Sequence, residues 1–169
     1  MRVLGLDPGL RLTGYACVAL RDGRDALDEA GVLRLKRGDG SPDGLATRLV
    51  ELEADLRELI ERLGPDAACV ESVFVHKAFP QTAVSMGHAR GVILLTAKRA
   101  GLPILELSPA VVKRSMTGFG RATKEQMRLA VQARYQLPEP PTPADVADAI
   151  AIAAGGLLRH AQAAAPQLP

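Results

Sequence analysis

Two short apolar runs each end in an acidic residue, and this arrangement restricts the fold more than anything else in the chain. Val3-Leu4-Gly5-Leu6 leads into Asp7, and Ala67-Ala68-Cys69-Val70 leads into Glu71. Runs of this length and character read as buried strands. Two more acids, Asp145 and Asp148, fall in the first turns of a late helix. Three residues apart on a helix, they lie on nearly the same face. If the fold brings these positions together, four carboxylates converge. Two like charges 4 Å apart repel by roughly 4 kcal/mol at an effective dielectric near 20. Divalent cations are the usual reason to keep such a cluster, because hard cations take oxygen ligands. Carboxylates holding two such ions about 4 Å apart suit in-line attack on a phosphodiester.

The rest of the chain supplies a frame for that site. Arg2–Asp7, Thr13–Leu20 and Ala30–Leu35 read as three strands joined by turns at Pro8-Gly9 and Arg21-Asp22-Gly23. Leu45, Leu49, Leu52, Leu56, Leu59, Ile60 and Leu63 mark an amphipathic helix closed by Gly64-Pro65. Ala67–Glu71 is the fourth strand, and a helix follows over Thr82–Ala100. Pro103–Leu107 is the fifth strand. Short helices then start after Ser108 and at Lys124. A meander followed by alternating helices and strands predicts one α/β domain around a mixed five-stranded sheet. The core domain is expected over residues 1–160, with 161–169 as a frayed Ala/Gln/Pro tail.

In the late helix, Thr142 is an N-cap candidate with Pro143 at the first helical position. Asp145, three residues after the cap, therefore has a second reading as a capping carboxylate. Asp7 before Pro8-Gly9 likewise has a turn-forming reading. Asp148 lies deeper in its helix and Glu71 ends a buried run, so such explanations fit them less well.

Charge is distributed unevenly. Residues 1–71 carry 10 basic and 14 acidic side chains, whereas residues 72–135 carry 10 basic and only 2 acidic, Glu106 and Glu125. A block this basic beside an acid cluster reads as a polyanion footprint. No apolar run is long enough to span a bilayer, and no secretory leader opens the sequence. Cys17 and Cys69, far apart in apolar runs, read as reduced core residues. An intracellular, cytoplasmic protein is expected, with no membrane partner.

Four segments together carry a family resemblance. Asp7-Pro8-Gly9-Leu10-Arg11-Leu12-Thr13-Gly14-Tyr15 resembles the first motif of the RuvC-type Holliday-junction resolvases. Glu71-Ser72-Val73-Phe74 resembles their second. Gly87-His88-Ala89-Arg90-Gly91 is similar to a G-x-A-R-G helix, and Asp145-Val146-Ala147-Asp148-Ala149-Ile150-Ala151 resembles the last motif. The departures, Leu10 for a common Ser and Val146 and Ile150 for Ala and Leu, alter no candidate ligand. The resemblance implies an RNase H-like fold and a homodimer that nicks four-way DNA junctions symmetrically, leaving 5′-phosphate and 3′-hydroxyl ends. It implies Mg²⁺ or Mn²⁺, two per site, held by Asp7, Glu71, Asp145 and Asp148. It further implies a bacterial, nucleoid-associated setting and the RuvA–RuvB branch-migration complex as a partner.

Other roles follow from the same comparison. Phe74 resembles a base-stacking residue at the junction centre, where stacking is worth about 1–3 kcal/mol per base; its alternative is to plug the domain's own core. Lys113 and Lys124 match basic positions of the DNA-binding face. Lys77 and Arg90 are further phosphate contacts, Phe119 is a loop contact, and His76, near Glu71, is a candidate DNA contact. Ala83, Gly87 and Gly91 give their helix a smooth face for close packing, which the resemblance places at a two-fold interface; packing on the chain's own sheet is the alternative. Two rival classes remain open. One is an actin-like or sugar-kinase-like ATP-binding fold, for which the chain is short and lacks a second phosphate-binding glycine motif. The other is a silent junction-binding protein or an RNA-directed relative.

Overall fold

A computed structural model describes residues 1–36, 40–72 and 80–164. Its five strands are β1 (Arg2–Asp7), β2 (Leu12–Arg21), β3 (Arg24–Arg34), β4 (Ala67–Glu71) and β5 (Ile104–Leu107). They form one sheet in the order β3-β2-β1-β4-β5. β1, β2 and β3 pair antiparallel as a meander, and β4 and β5 extend the sheet in parallel with β1. The helices are α1 (Pro42–Leu63), α2 (Pro80–Arg99), α3 (Pro109–Thr117), α4 (Lys124–Tyr135) and α5 (Ala144–Ala164). α5 thus runs past residue 160, where the tail was expected to begin.

Alternation along the strands builds two cores. Leu4, Leu6 and Cys17 face α1 and α2 on one side of the sheet, with Leu52, Leu56, Ile60 and Ile93. Val3, Ala16, Val18 and Cys69 face α3, α4 and α5 on the other. The two cysteines therefore lie on opposite faces, both buried and free. Burial pushes the Cys69 thiol up to about 12. α1 starts at Pro42, where the Ser41 side chain caps the Gly44 N–H at 3.0 Å, and it closes at Gly64 in the left-handed region.

Two expectations need correction. β3 starts at Arg24, not Ala30. Asp22 (φ 51°) and Gly23 (φ 77°) both take positive φ, the conformation of a two-residue hairpin that matches strand twist. The added residues look unlike a strand because they are charged, yet each acid finds a partner far away in sequence. Asp28 accepts from Arg2 Nε at 3.0 Å and meets Arg21 at 2.6 Å, and Asp25 meets Arg134 at 2.9 Å. Glu29 accepts two bonds from Arg62 at 2.6 and 2.7 Å and a third from the Tyr15 hydroxyl at 2.8 Å. The second correction concerns α5. The Thr142–Pro143 bond is cis and the helix begins at Ala144, so Thr142 is not its cap; the Pro143 carbonyl accepts from the Val146 N–H at 3.1 Å.

The Glu29 cluster predicts an acid-sensitive component of stability. The Arg62 hydrogen bonds, helped by Tyr15, hold Glu29 at about 2 against an ordinary 4.5. A depressed carboxylate contributes fully above its unfolded value and loses that contribution as pH falls through the folded one. Between about pH 4.5 and 2, Glu29→Gln should therefore lose stability less steeply than wild type. Urea midpoints measured across that window check this; parallel curves would show that the cluster contributes nothing.

Candidate active site

The four acids come from three elements of the chain yet share one cavity. Asp7 ends β1 and Glu71 ends the parallel neighbour β4, so both lie at the same end of the sheet. Asp145 and Asp148 come from the first two turns of α5, which packs across β1 and β2. The packing is close because glycines leave room for it. A Cβ at Gly5 would meet the Ala149 carbonyl oxygen and the Ala153 nitrogen at 2.4 Å. One at Gly14 would meet the Asp145 carbonyl oxygen at 2.2 Å. Thr13, fully buried beside Gly14, donates its hydroxyl to the Gly9 carbonyl at 2.8 Å and closes the β1–β2 turn that follows Asp7.

Asp7, Glu71, Asp145 and Asp148 line a cavity of about 410 Å³ together with Lys113 of α3 and Lys124 of α4. Burial, then the charges of Asp148, Asp145 and Glu71, push Asp7 up to about 7, with Lys124 opposing. Glu71 is also raised, first by burial and then by Asp148, with Lys113 and Lys124 working against the shift. Burial raises Asp148 too, and the same lysines oppose it. Among the described residues, no three acidic, histidine or cysteine side chains form a ready-made tight cage. The acids ring the cavity, as mutually repelling groups do. An all-oxygen donor set fits a hard divalent cation, which would stabilise the same charges.

The other sequence candidates divide. Lys113 and Lys124 stand in the cavity wall. The capping box at Thr123, which accepts from the Gln126 N–H at 3.2 Å while its own N–H donates to Gln126 Oε1 at 2.8 Å, fixes Lys124 at the start of α4. Arg90 is not part of the lining; it is an ion-pair partner of Glu106, joining α2 to β5. Phe119 is 58% exposed on the α3–α4 loop, away from the cavity wall. Gly87 and Gly91 of α2 are exposed, and a Cβ at either would meet nothing within 4 Å. Packing on the chain's own sheet is therefore not what they serve. Phe74, His76 and Lys77 lie outside the described residues. Sequence reasoning missed Gly5, Gly14 and Thr13 as supports of the site. Their only signal was small or polar residues at strand positions that otherwise take bulky apolar ones.

The sheet order, the flanking helices and carboxylates gathered at the strand ends define an RNase H-like nuclease fold. In three dimensions the chain matches a structure described as Thermus thermophilus RuvC in complex with Holliday junction substrate, with a TM-score of 0.85, 31% identity and 99% of each chain covered. It is 46% identical over 154 residues to the crossover junction endodeoxyribonuclease RuvC of Rhodopirellula baltica, covering 91% of this chain and 84% of the relative. Against the protein of that name from Moorella thermoacetica it is 44% identical over 153 residues, covering 90% and 89%. The family model for crossover junction endodeoxyribonuclease RuvC matches residues 3–155, and the chain belongs to that family.

Proposed function

We propose that this chain binds four-way DNA junctions as a homodimer and resolves them by symmetric, paired nicks, using two divalent cations per site, Mg²⁺ or Mn²⁺. The observation that carries this reading is the single cavity walled by four carboxylates and two lysines. Asp7, Glu71, Asp145 and Asp148 would hold the ions, which when bound make water nucleophilic at neutral pH and offset charge on the leaving 3′ oxygen. The chain's own residues do the rest. Lys113 and Lys124 place positive charge beside the scissile phosphate, where it stabilises developing charge as well as ground-state binding. Burial keeps the acids in a low-dielectric pocket, so each such contact counts for more than it would in water.

Two equivalent nicks need two sites related by a two-fold axis. The face of α2 bearing Gly87 and Gly91 also exposes Val84 (59%) and Leu95 (49%), at helical spacings that place all four on one stripe. That stripe, with Ala83 beside it, fits a second copy of the chain. Phe74 at the junction centre, with Lys77 and His76 beside it, Phe119 on its loop, the RuvA–RuvB complex as partner, and a bacterial cytoplasmic, nucleoid-associated setting belong to the same reading. So does a single nuclease domain over residues 1–160. Arg90, paired with Glu106 in the free chain, is a further phosphate contact in this reading. No described helix is long and apolar enough to cross a membrane.

The test is cleavage of a synthetic four-way DNA junction, beside duplex DNA and structured RNA, with Mg²⁺, with Mn²⁺ and with chelator. Paired nicks on the junction alone, religatable and metal-dependent, are expected. Equal cutting of duplex or RNA, or cutting in chelator, would overturn the proposal.

A further inference from the structure

Beyond Asp145 the catalytic cavity continues into a second depression of about 560 Å³, lined by Arg11, Leu12, Arg34, Leu35, Lys36 and Asp145. Asp145 belongs to both walls, so the two spaces adjoin. Arg11, Arg34 and Lys36 are exposed, and among the described residues none of them forms an ion pair. Lys36 acts at a distance on Asp55, and its backbone N–H donates to Glu51 at 3.1 Å. Elsewhere Arg2, Arg21, Arg62, Arg90, Arg128 and Arg134 are each paired with a carboxylate. The trio is therefore unneutralised charge gathered at one place in a segment whose overall balance is acidic.

The backbone beneath it is fixed. Leu12 and Arg34 are cross-strand partners at the end of the β2–β3 ladder, and the Leu35 N–H donates to the Arg11 carbonyl at 3.3 Å. Arg48 of α1 donates to the neighbouring Leu10 carbonyl at 3.5 Å. Arg34 ends β3 and Arg11 immediately precedes β2, so these two cations are held in position better than cations on a free loop. Lys113 and Lys124 line the adjoining cavity, from α3 and α4. Positive charge thus lines both of the spaces that share Asp145.

We propose that Arg11, Arg34 and Lys36 bind backbone phosphates of the cleaved strand on one side of the cut, so that the strand runs from Lys113 and Lys124 over the carboxylates to this trio. The assignment rests on the junction-nuclease reading above. Phosphates are the ligand because guanidinium groups match their geometry and, among the described residues, no carboxylate forms an ion pair with the three. The trio positions the strand without reading its bases.

The experiment compares wild type with the triple variant Arg11→Ala/Arg34→Ala/Lys36→Ala for junction affinity across a salt series in Ca²⁺, and for single-turnover cutting in Mg²⁺. Each lost phosphate contact lowers the slope of log affinity against log salt by about 0.9, so the triple variant should lose roughly two to three units. Junctions truncated just beyond the scissile phosphate, on the 5′ side or the 3′ side, then locate the contact. Exactly one truncation should make variant and wild type indistinguishable. Arg57→Ala/Arg99→Ala, in a separate depression between α1 and α2, should leave the slope unchanged. A triple variant with wild-type slope, or a difference that survives both truncations or disappears with either, overturns the inference. If wild type itself shows no preference for junctions over duplex, the junction-nuclease reading falls as well, and the two failures are told apart by that control.

Discussion

Asp7→Asn abolishes cleavage while leaving junction binding nearly intact: this is the largest effect the structure predicts. Asp7 is the acid on which all three other acids of the cavity act. Losing a metal ligand removes several kcal/mol of transition-state stabilisation. At 1.36 kcal/mol per tenfold, about 4 kcal/mol is roughly a thousandfold in rate. Binding survives because affinity for DNA comes mainly from phosphate contacts, which lie on other residues. Glu71→Gln and Asp148→Asn should behave alike. The electrostatics add a second outcome that a merely structural role for Asp7 would reverse. In chelator, wild type carries the repulsion and burial that raise Asp7 to about 7, and the neutral amide carries neither. The variant should then melt higher than wild type above neutral pH. Even about 1 kcal/mol of relief raises Tm by roughly 2–4 °C in a chain of this size. Single-turnover rates in Mg²⁺ and thermal melts in chelator measure both. Cutting at near wild-type rate, or a lower melting temperature, removes Asp7 from the role given to it.

Gly14→Ala should damage catalysis far more than its single methyl group suggests. Its Cβ would lie 2.2 Å from the Asp145 carbonyl oxygen, and the obstacle is backbone rather than a side chain that can swing away. The first turn of α5 must retreat by about an ångström, carrying Asp145 and Asp148 with it. A displacement of that size at a catalytic group can cost about a hundredfold. Stability should fall by about 1–3 kcal/mol, the usual cost of overpacking. The diagnostic result is the mismatch: a folded, junction-binding protein whose cutting rate is down about a hundredfold. Unchanged cutting would show that α5 can shift without disturbing the acids.

The sequence made the site's chemistry legible better than its support. Glu71 and Asp148 stand out because an acid ending a buried strand or deep in a helix is hard to explain locally, and Asp7 joins them despite its turn-forming alternative. The family motifs then made the nuclease reading specific. The first strand pair, α1 and the parallel strands followed from apolar periodicity. β3 was read six residues short because Asp25, Asp28 and Glu29 look solvent-facing until Arg134, Arg2, Arg21 and Arg62 are brought to them by the fold. Thr142-Pro143 has the composition of a helix cap, yet α5 begins only at Ala144. Arg11, Arg34 and Lys36 were hidden in a segment with more acids than bases, where counting charges conceals which of them are already paired. Gly5 and Gly14 carried no chemical signal, since what they contribute is the absence of a side chain.

Those glycines bear on how such a protein can change over generations. α5 also carries Gly155 and Gly156, where a Cβ would come within 2.8 Å of Leu107 and Cys69 respectively. One helix therefore presents two cavity-lining acids at its start and rests on the sheet through gaps along its length. A lineage could not enlarge the residues under α5 to gain stability without also moving the acids. Variation in what the enzyme cuts is instead left to surfaces that α5 does not touch, and the catalytic centre is inherited together with the core as one unit.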